Sequence, residues 1–262
     1  MLRPRISPCL LIRNGGLVKT QQFKNDKYIG DPINAVKIFN EKAVDELIII
    51  DIDATVLNHD PNYDLLQKVA NESRMPLCYG GGIKNSTQAQ KIIEMGIEKI
   101  AVSSEAFSNP NLISNISNLV GRQSVVCVLD VKKNILKGHS IYTHNGKKKV
   151  HGNLIHWVKV FQDAGAGEII FNSIDRDGMQ TGYDLDLVRG IIDHLSIPST
   201  FLGGASSLED IGNLIAMRGV GGYSAGSLFV FKGKHRAVLI SYPKFEEKFN
   251  LIQENMNKYL NC

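Results

Sequence analysis

The chain has 262 residues, of which 43% are hydrophobic and 21% charged, and its formal net charge is +4. This composition is typical of a globular protein with a large core, and the length fits one barrel or two small domains. The mild charge without a basic stripe argues against nucleic-acid binding, and no run of about 18 apolar residues predicts a membrane span.

The cysteines suggest neither a disulfide framework nor a metal site. Cys9, Cys78 and Cys127 each lie inside an apolar run, and Cys262 is the last residue given. Their spacing matches no metal-ligand motif, so we predict buried thiols, no metal and no cofactor. Because the first residues also lack a long apolar stretch, we expect a cytoplasmic protein.

Eight short apolar runs predict strands, and the amphipathic segments between them predict helices. The predicted strands cover residues 6–12, 47–51, 77–79, 100–103, 125–130, 169–172, 200–202 and 223–225. Predicted helices cover about 63–73, 110–120, 153–164, 184–195, 207–217 and 243–260, and two others begin at Asp31-Pro32 and at Asn85. Asp31 and Asn85 are suited to cap a first helical turn, and Gly96 to follow a last one.

This alternation continues without a break in composition over residues 1–262. We therefore predict an α/β fold with a single (β/α)8 barrel, a TIM barrel, in one domain. A doubly wound open sheet is the alternative, but no G-x-G-x-x-G motif follows the first strand.

The sequence also repeats itself within the chain. Residues 76–82 (PLCYGGG) align with 198–204 (PSTFLGG) at an offset of 122, and Ser103-Ser104 align with Gly226-Ser227 at an offset of 123. A half-barrel duplicated once produces such a pattern, and it places equivalent loops on opposite sides of the barrel mouth.

The apolar run of the fifth strand ends on Asp130. The last residue of a barrel strand opens onto the face where chemistry occurs, so Asp130 is the first catalytic candidate. A lone acid at a strand end is about as often a helix cap or a loop anchor. At the matching position of the first strand, where a second acid is expected, the chain has Leu11.

Glycine and serine residues follow the third, fourth, seventh and eighth strands. The loops with Gly82 and Ser104 predict one anion cradle, and those with Gly204, Gly226 and Ser227 predict a second. Glycine lets the backbone approach an anion closely, and barrels commonly bind phosphate after strands seven and eight. Tight turns need glycine anyway, but two cradles at duplicated positions favour a bis-phosphate or another two-ended ligand.

Four further acids have two interpretations. Asp51 and Asp53 end or follow the second strand, and Asp175 and Asp177 follow the sixth. Each acid either orients a ligand or a water, or makes the local hydrogen bonds of a turn rich in Asp and Gly.

Charged residues also stand at the beginnings of four strands. They are Arg5, Glu46, Lys99 and Glu168, in strands one, two, four and six. Two cations and two anions at the barrel bottom can close into a neutral ring of salt bridges. Such residues are usually stability features. The functional alternative is a gated entrance for a small neutral molecule.

Over nearly all of residues 1–231, the chain resembles the cyclase subunit of imidazole glycerol phosphate synthase, the HisF family. The resemblance rests on the motifs GDP at 30–32, GGGI at 80–83, SIDRDG at 173–178 and GGA at 203–205. It implies a TIM barrel that docks a HisH-like glutaminase at its bottom face. Ammonia then passes through the barrel and is joined to a bis-phosphorylated substrate to form an imidazole ring.

The resemblance also implies roles for matching positions. Asp130 matches one of two catalytic aspartates, and Lys19 and Phe23 match a flexible loop that closes over the substrate. The phosphate-contacting loops correspond to Gly82, Ser104, Asp177, Gly178, Gly204, Gly226 and Ser227. The charged ammonia gate corresponds to Arg5, Glu46, Lys99 and Glu168.

Two departures from the family separate this chain from an ordinary cyclase. The family has an aspartate where this chain has Leu11, and cyclisation needs paired acid and base work. The divergent helical segment from about Lys232 to residue 262 also leaves the usual pattern. Both departures resemble a side branch associated with acetamidino modification of surface-polysaccharide sugars, in which the barrel receives ammonia and serves a separate amidotransferase.

Four functional hypotheses follow. The leading one is a HisF-like subunit that receives ammonia for acetamidino-sugar formation. The second is a true histidine-pathway cyclase in which Asp51 or Asp177 compensates for Leu11. The third is a non-catalytic scaffold that activates the glutaminase and binds a phosphosugar. The isomerase of the same pathway is weaker, since it takes no ammonia and does not explain the charged ring.

Overall fold

Eight parallel strands close into a barrel in the computed structural model, which describes residues 4–134, 138–217 and 219–260. The strands are Arg5–Arg13, Leu47–Asp51, Leu77–Gly80, Lys99–Val102, Val125–Lys133, Glu168–Ser173, Ser199–Leu202 and Gly222–Ala225. The first strand pairs with the eighth and the second, and the sixth pairs with the fifth and the seventh. This closure confirms the (β/α)8 barrel and excludes the open sheet.

Helices connect the strands and cover the barrel. The α-helices are Pro32–Glu41, Tyr63–Glu72, Ser86–Glu94, Ser104–Ser108, Asn111–Val120, Leu154–Asp163, Leu185–Ile191, Leu208–Ile215, Ser227–Val230 and Phe245–Leu260. The caps work as predicted, because Asp31 and Asn85 each accept the amide of the residue three positions later at 2.9 Å. No helix within the described ranges is long and apolar enough to cross a membrane.

Two hydrophobic clusters form the core. The larger one lies between strands and helices and includes Phe39, Phe161 and Phe171, which are fully buried. The smaller one lies inside the barrel and consists of Cys9, Ile48, Cys78, Ala101, Val126 and Ile170. Alternation along each strand produces the two clusters, since successive side chains point to opposite faces. Cys9, Cys78 and Cys127 are buried free thiols, and Cys262 lies outside the described residues.

Three features differ from the sequence-based predictions. The fifth strand does not end at Asp130 but continues to Lys133, where it pairs antiparallel with His139–Thr143. The fourth strand ends at Val102, and Ser104 begins a short helix. The C-terminal segment is not wholly helical, because Phe231–Lys232 and Ala237–Val238 form a hairpin before the last helix.

The first strand continues into a hairpin that the strand pattern did not predict. Gly16–Gln21 pairs antiparallel with the end of the first strand and with Lys24–Gly30. Lys24–Gly30 is polar and almost entirely exposed, so it lacks the apolar pattern of a barrel strand. The organisation of residues 1–262 as one domain stays a prediction, since parts of that range lie outside the described residues.

Candidate functional site

A cavity of about 430 Å³ opens at the carboxyl ends of the barrel strands. Every upper-face residue to which the family resemblance assigns a role lines it: Lys19, Phe23, Gly82, Ser104, Asp130, Asp177, Gly178, Gly204, Gly226 and Ser227. The floor consists of the inner-cluster side chains Cys9, Ile48, Ala101 and Ile170. The loops after the strands therefore enclose one space with an apolar base and a polar rim, although the role of each residue stays a prediction.

Asp130 is the acid best placed for proton transfer. Its side chain is enclosed on most sides but partly open to the cavity. Burial raises the pKa of Asp130 to about 7, against the opposing effect of a hydrogen bond that Asn172 Nδ2 donates to Asp130 Oδ1 at 3.0 Å. A carboxyl group with this pKa exchanges a proton readily near neutral pH.

Asn172 is a site residue that the sequence analysis missed. It is buried at the end of the sixth strand, and its Oδ1 has no hydrogen-bond partner in the described part of the chain. Ser103, which follows the fourth strand, also has a buried hydroxyl without a hydrogen-bond partner in the described part of the chain. Buried polar atoms are normally satisfied, so both atoms are available to a ligand in the cavity. The signal in the sequence was a polar residue ending an otherwise apolar strand.

Leu11 lines the same cavity from the first strand. The other apolar side chains on the wall include Ile50, Val128 and Leu202. A hydrocarbon side chain neither accepts nor donates a proton. The first strand therefore contributes no acid or base at this position, and Asp130 has no carboxylate partner there.

Three of the four ambiguous acids hold loops. Asp51 Oδ1 accepts the backbone amides of Asp53 at 3.0 Å and Ala54 at 3.1 Å, so it anchors the turn after the second strand. Asp53 pairs with Arg13 at 3.1 Å. Asp175 accepts the Lys133 amide at 2.7 Å. These contacts give all three residues a structural role, and those of Asp51 are the local hydrogen bonds of a turn.

Asp177 joins the hairpin after the first strand to the cavity rim. Its Oδ2 accepts the Thr20 hydroxyl at 2.7 Å, and its backbone oxygen accepts the Gln22 amide at 2.8 Å. Lys19 is buried in the same hairpin and donates from Nζ to the Cys9 carbonyl. Burial lowers the pKa of Lys19 and raises that of Asp177. The hairpin thus lies over the cavity and brings a cation to its wall.

The two predicted cradles have equivalent backbone geometry. Gly82 and Gly204 have φ angles of 72° and 103°, in the region that favours glycine. A Cβ at Gly82 would lie 2.8 Å from the His59 carbonyl oxygen, and one at Gly204 would overlap the Gly182 carbonyl oxygen. Short helices begin at Ser104 and Ser227 after the fourth and eighth strands. These matches agree with a duplicated half-barrel.

At the opposite end of the barrel, the four charged residues form a closed ring. Lys99 Nζ lies 2.6 Å from Glu46 Oε1 and 2.8 Å from Glu168 Oε2. The Arg5 guanidinium lies 2.8 Å from Glu168 Oε1 and 3.9 Å from Glu46 Oε1. The ring geometry is therefore the one that the charges predict. Its role as an ammonia gate stays a prediction.

The ring is held in a largely buried environment. Burial alone would raise the pKa of Glu168, but Lys99 and Arg5 outweigh it and lower that pKa below its ordinary value. Two hydroxyl groups also donate hydrogen bonds to the acids: Thr200 donates to Glu168 at 2.6 Å, and Ser7 donates to Glu46 at 3.2 Å. Neither hydroxyl partner is evident from the sequence pattern, since each lies more than 30 residues from its acid.

The inner cluster connects the ring to the cavity. In the sheet register, Cys78 is paired with Lys99 and Val126 with Glu168. Cys9, Ile48, Ala101 and Ile170 lie on the cavity side. A short apolar layer, with the small side chains of two cysteines and one alanine, thus separates the charged ring from the polar cavity.

The fold and the site together define a (β/α)8 barrel with a polar cavity at one end and a charged ring at the other. Residues 5–236 match the family model described as histidine biosynthesis protein. The chain is 53% identical over 249 residues to the "Putative imidazole glycerol phosphate synthase subunit HisF" of Leptospira borgpetersenii, covering 95% of this chain and 98% of that protein.

Other relatives agree with this match. The "Putative imidazole glycerol phosphate synthase subunit hisF3" of Vibrio vulnificus is 51% identical over 95% of this chain and 96% of its own length. The "Imidazole glycerol phosphate synthase subunit HisF" of Dehalococcoides mccartyi is 37% identical over 87% of this chain and 90% of its own length. The chain belongs to the HisF family of histidine biosynthesis proteins.

Proposed function

We propose that this chain is a HisF-type subunit that receives glutamine-derived ammonia from a HisH-like glutaminase at its bottom face. The ammonia serves acetamidino modification of a surface-polysaccharide sugar, through a downstream amidotransferase. One observation carries the proposal: the charged ring is complete, whereas the cavity has Asp130 facing a wall on which the first strand presents Leu11.

The ring is suited to admit a neutral molecule and to exclude ions. Its two cations and two anions balance, so it neither attracts nor repels an uncharged species strongly. Arg5 is the member most able to move, since its side chain is 31% exposed and its contact with Glu46 is the longest of the ring at 3.9 Å. Displacing Arg5 leaves Lys99 bound to both acids, so an entrance opens without leaving either carboxylate unpaired.

The apolar layer beyond the ring supports delivery of ammonia rather than ammonium. A charged species pays a large desolvation penalty among apolar side chains, and a small neutral one does not. The layer includes Cys78 and Ala101, whose side chains are small, and it ends at the cavity that contains Asp130.

The cavity supports an anionic ligand but not efficient cyclisation. The buried Lys19 and the two glycine-rich cradles suit a phosphorylated molecule. Imidazole formation requires acid and base work at two points of the substrate, each worth about 10²–10⁴-fold. Asp130 supplies one such group, and Leu11 supplies none.

The relatives' names support a subunit of a two-component enzyme. Each is called a synthase subunit, and the relatives from Vibrio vulnificus and Pseudomonas aeruginosa, 51% and 50% identical to this chain, carry the numbered names hisF3 and hisF2. Numbered names fit additional copies that have diverged from an ordinary cyclase. The relatives named "Imidazole glycerol phosphate synthase subunit HisF", without a number, are less similar to this chain, at 35–37% identity.

Genetic complementation tests the proposal. This chain and its own glutaminase are expressed together in a histidine auxotroph that lacks the cyclase, and we expect no growth without histidine. Growth at the rate of a complementing HisF would overturn the proposal and favour the second candidate, a true cyclase. In that case Asp130, with its near-neutral pKa, would act as an acid or base in cyclisation. If the sugar-modifying pathway keeps its full output with Asp130→Asn, the chain is a scaffold that only activates the glutaminase.

A further inference from the structure

The C-terminal hairpin places one cation at the rim of the second cradle. Phe231–Lys232 and Ala237–Val238 form this hairpin, and Lys232, Lys234 and His235 are exposed on it. Arg236 differs from them because it is half-buried and turns back toward the barrel. Its guanidinium donates to the Gly178 carbonyl at 3.0 Å and approaches the Ser227 hydroxyl at 3.4 Å.

The position of the guanidinium is held from several sides. It stacks on the Phe231 ring at 4.6 Å, and Lys27 donates to the Arg236 carbonyl at 3.0 Å. The backbone of Arg236 has φ 50°, a left-handed conformation that the turn from Gly233 imposes. The hairpin after the first strand and the C-terminal hairpin thus meet at this residue, which is pre-organised rather than free to rotate.

The charge of Arg236 is not neutralised by a direct ion pair. Within the described ranges, no carboxylate oxygen lies within 4.0 Å of its nitrogens. A guanidinium has five N–H groups, and the two contacts given above use two of them. Burial raises the pKa of Asp177, and Arg236 is among the charges that oppose this shift, so its field reaches the cavity rim.

A second cation lies on the other side of the same rim. Lys19 is buried, and a Cβ at Gly226 would overlap its Nζ, so Lys19 contacts the backbone that precedes Ser227. Lys19 and Arg236 therefore flank residues 226–227, and Asp177 is the nearby acid that interacts with both. Two cations and one acid leave the subsite with a positive net charge, which suits an anionic group.

We infer that Arg236, from the C-terminal hairpin, and Lys19 form a two-cation subsite that binds a phosphomonoester dianion at residues 226–227. Arginine suits this role because its planar guanidinium can donate two parallel hydrogen bonds to two phosphate oxygens. This inference rests on the proposed phosphorylated ligand and adds a specificity-determining residue from the segment in which the chain departs from the usual cyclase pattern.

Phosphate titration tests the inference with the full chain. All proteins carry Ser104→Asp, whose carboxylate repels phosphate from the first cradle, and inorganic phosphate is the probe in calorimetry. Arg236→Gln should raise the Kd for phosphate about tenfold or more, since hydrogen bonds between charged groups are lost. Arg236→Lys keeps the charge but not the planar guanidinium, so its Kd for phosphate should lie between those of the parent and Arg236→Gln. Lys234→Gln is the matched control, because it removes an exposed charge from the same hairpin, and it should leave the Kd within about twofold.

Thermal unfolding separates binding from folding. Ligand binding raises the Tm only through the folded state, so the increase on adding phosphate reports occupancy. We expect this increase to shrink in Arg236→Gln and to persist in Lys234→Gln. The inference is overturned if Arg236→Gln lowers the Tm equally with and without phosphate, or if it leaves the Kd for phosphate unchanged. Either result would mean that Arg236 has a structural role. If the parent protein with Ser104 intact binds no phosphate, the proposed phosphorylated ligand fails, and the inference fails with it.

Discussion

Asn172 donates a hydrogen bond from Nδ2 to Asp130 Oδ1 at 3.0 Å, across the fifth and sixth strands, whose register pairs these two residues. This contact fixes the orientation of the acid best placed for proton transfer in the cavity, and the hydrogen bond favours its ionised form. Burial has the larger effect and raises the pKa of Asp130 to about 7. The carboxyl group is therefore oriented and close to half-ionised at neutral pH.

The raised pKa of Asp130 predicts a pH-dependent effect of Asp130→Asn on stability. An acid whose folded-state pKa is raised binds more protons in the folded than in the unfolded protein, so its contribution to stability falls as the pH rises from about 4 to about 7. The amide side chain of the variant cannot ionise. Relative to the parent, the variant should gain about 1–3 kcal/mol between pH 4 and pH 8, after allowance for water in the cavity.

Urea unfolding at several pH values measures this difference. The control is Asp193→Asn, which makes the same change at an exposed side chain and should give a smaller difference between pH 4 and pH 8 than Asp130→Asn. A stability difference for Asp130→Asn that is equal at pH 4 and pH 8 would show that the folded protein does not raise the pKa of Asp130.

Removing the lysine from the charged ring should destabilise the fold strongly. Lys99→Met leaves Glu46 and Glu168 largely buried with Arg5 as their remaining cation, and an uncompensated buried charge costs about 3–5 kcal/mol. Adding Glu168→Gln to this variant restores the charge balance and should recover part of the loss. Denaturant unfolding gives both values.

A matched surface pair provides the control for the ring. Lys159 and Asp163 also lie 2.8 Å apart, but their side chains are 75% and 63% exposed. Lys159→Met should therefore cost less than about 0.5 kcal/mol. Equal losses for Lys99→Met and Lys159→Met would mean that the ring contributes no more than a solvated ion pair.

Restoring an acid to the first strand should increase imidazole formation. Leu11→Asp places a second carboxylate on the cavity wall, and paired acid and base catalysis is worth about 10²–10⁴-fold. We expect product formation from the cyclase substrate to rise by about 10²-fold over the parent rate, and to be lost again when Asp130→Asn is added.

The control for this gain is Leu202→Asp, which introduces the same group on a different part of the cavity wall. It should not accelerate the reaction. A similar increase in both variants would indicate a general effect of negative charge in the cavity rather than a paired mechanism.

The approach of the first hairpin to the sixth-strand loop should depend on Gly178. Gly178 has φ 68°, and a Cβ there would overlap the Thr20 carbonyl oxygen. Gly178→Ala should cost about 3 kcal/mol or more, from backbone strain together with steric overlap. Gly15→Ala separates the two causes, because Gly15 has φ 75° and open space around it, and it should cost only about 1–2 kcal/mol. Equal losses of unfolding free energy in the two variants, measured with urea, would mean that the hairpin moves away from the added methyl group at no energetic cost.

Much of the barrel was predictable from local patterns. Apolar runs without alternation gave all eight barrel strands, and residues such as Asp31 and Asn85 marked helix starts. The strand Lys24–Gly30 of the first hairpin was missed because it is exposed and polar, so no hydrophobic periodicity reveals it. The extension of the fifth strand to Lys133 was missed for the same reason, since Lys132 and Lys133 are exposed.

The candidate site was predictable in its residue types but not in its partnerships. The sequence identified Asp130, the glycine cradles and the four ring charges. It did not identify Asn172, Thr200 or Arg236, because their contacts join segments separated by 42, 32 and 58 residues. Whether Asp51 anchors a turn or serves chemistry also depended on hydrogen bonds that no spacing rule gives.

The central claim is that the acid pair for cyclisation is incomplete in this barrel, so that ammonia received through the charged ring does not form imidazole efficiently. The most direct measurement is the rate of imidazole product formed by the purified protein with its glutaminase, glutamine and the ordinary cyclase substrate. We predict turnover far below the roughly 1 s⁻¹ expected of a working enzyme. Turnover of about 1 s⁻¹ or faster would contradict the account.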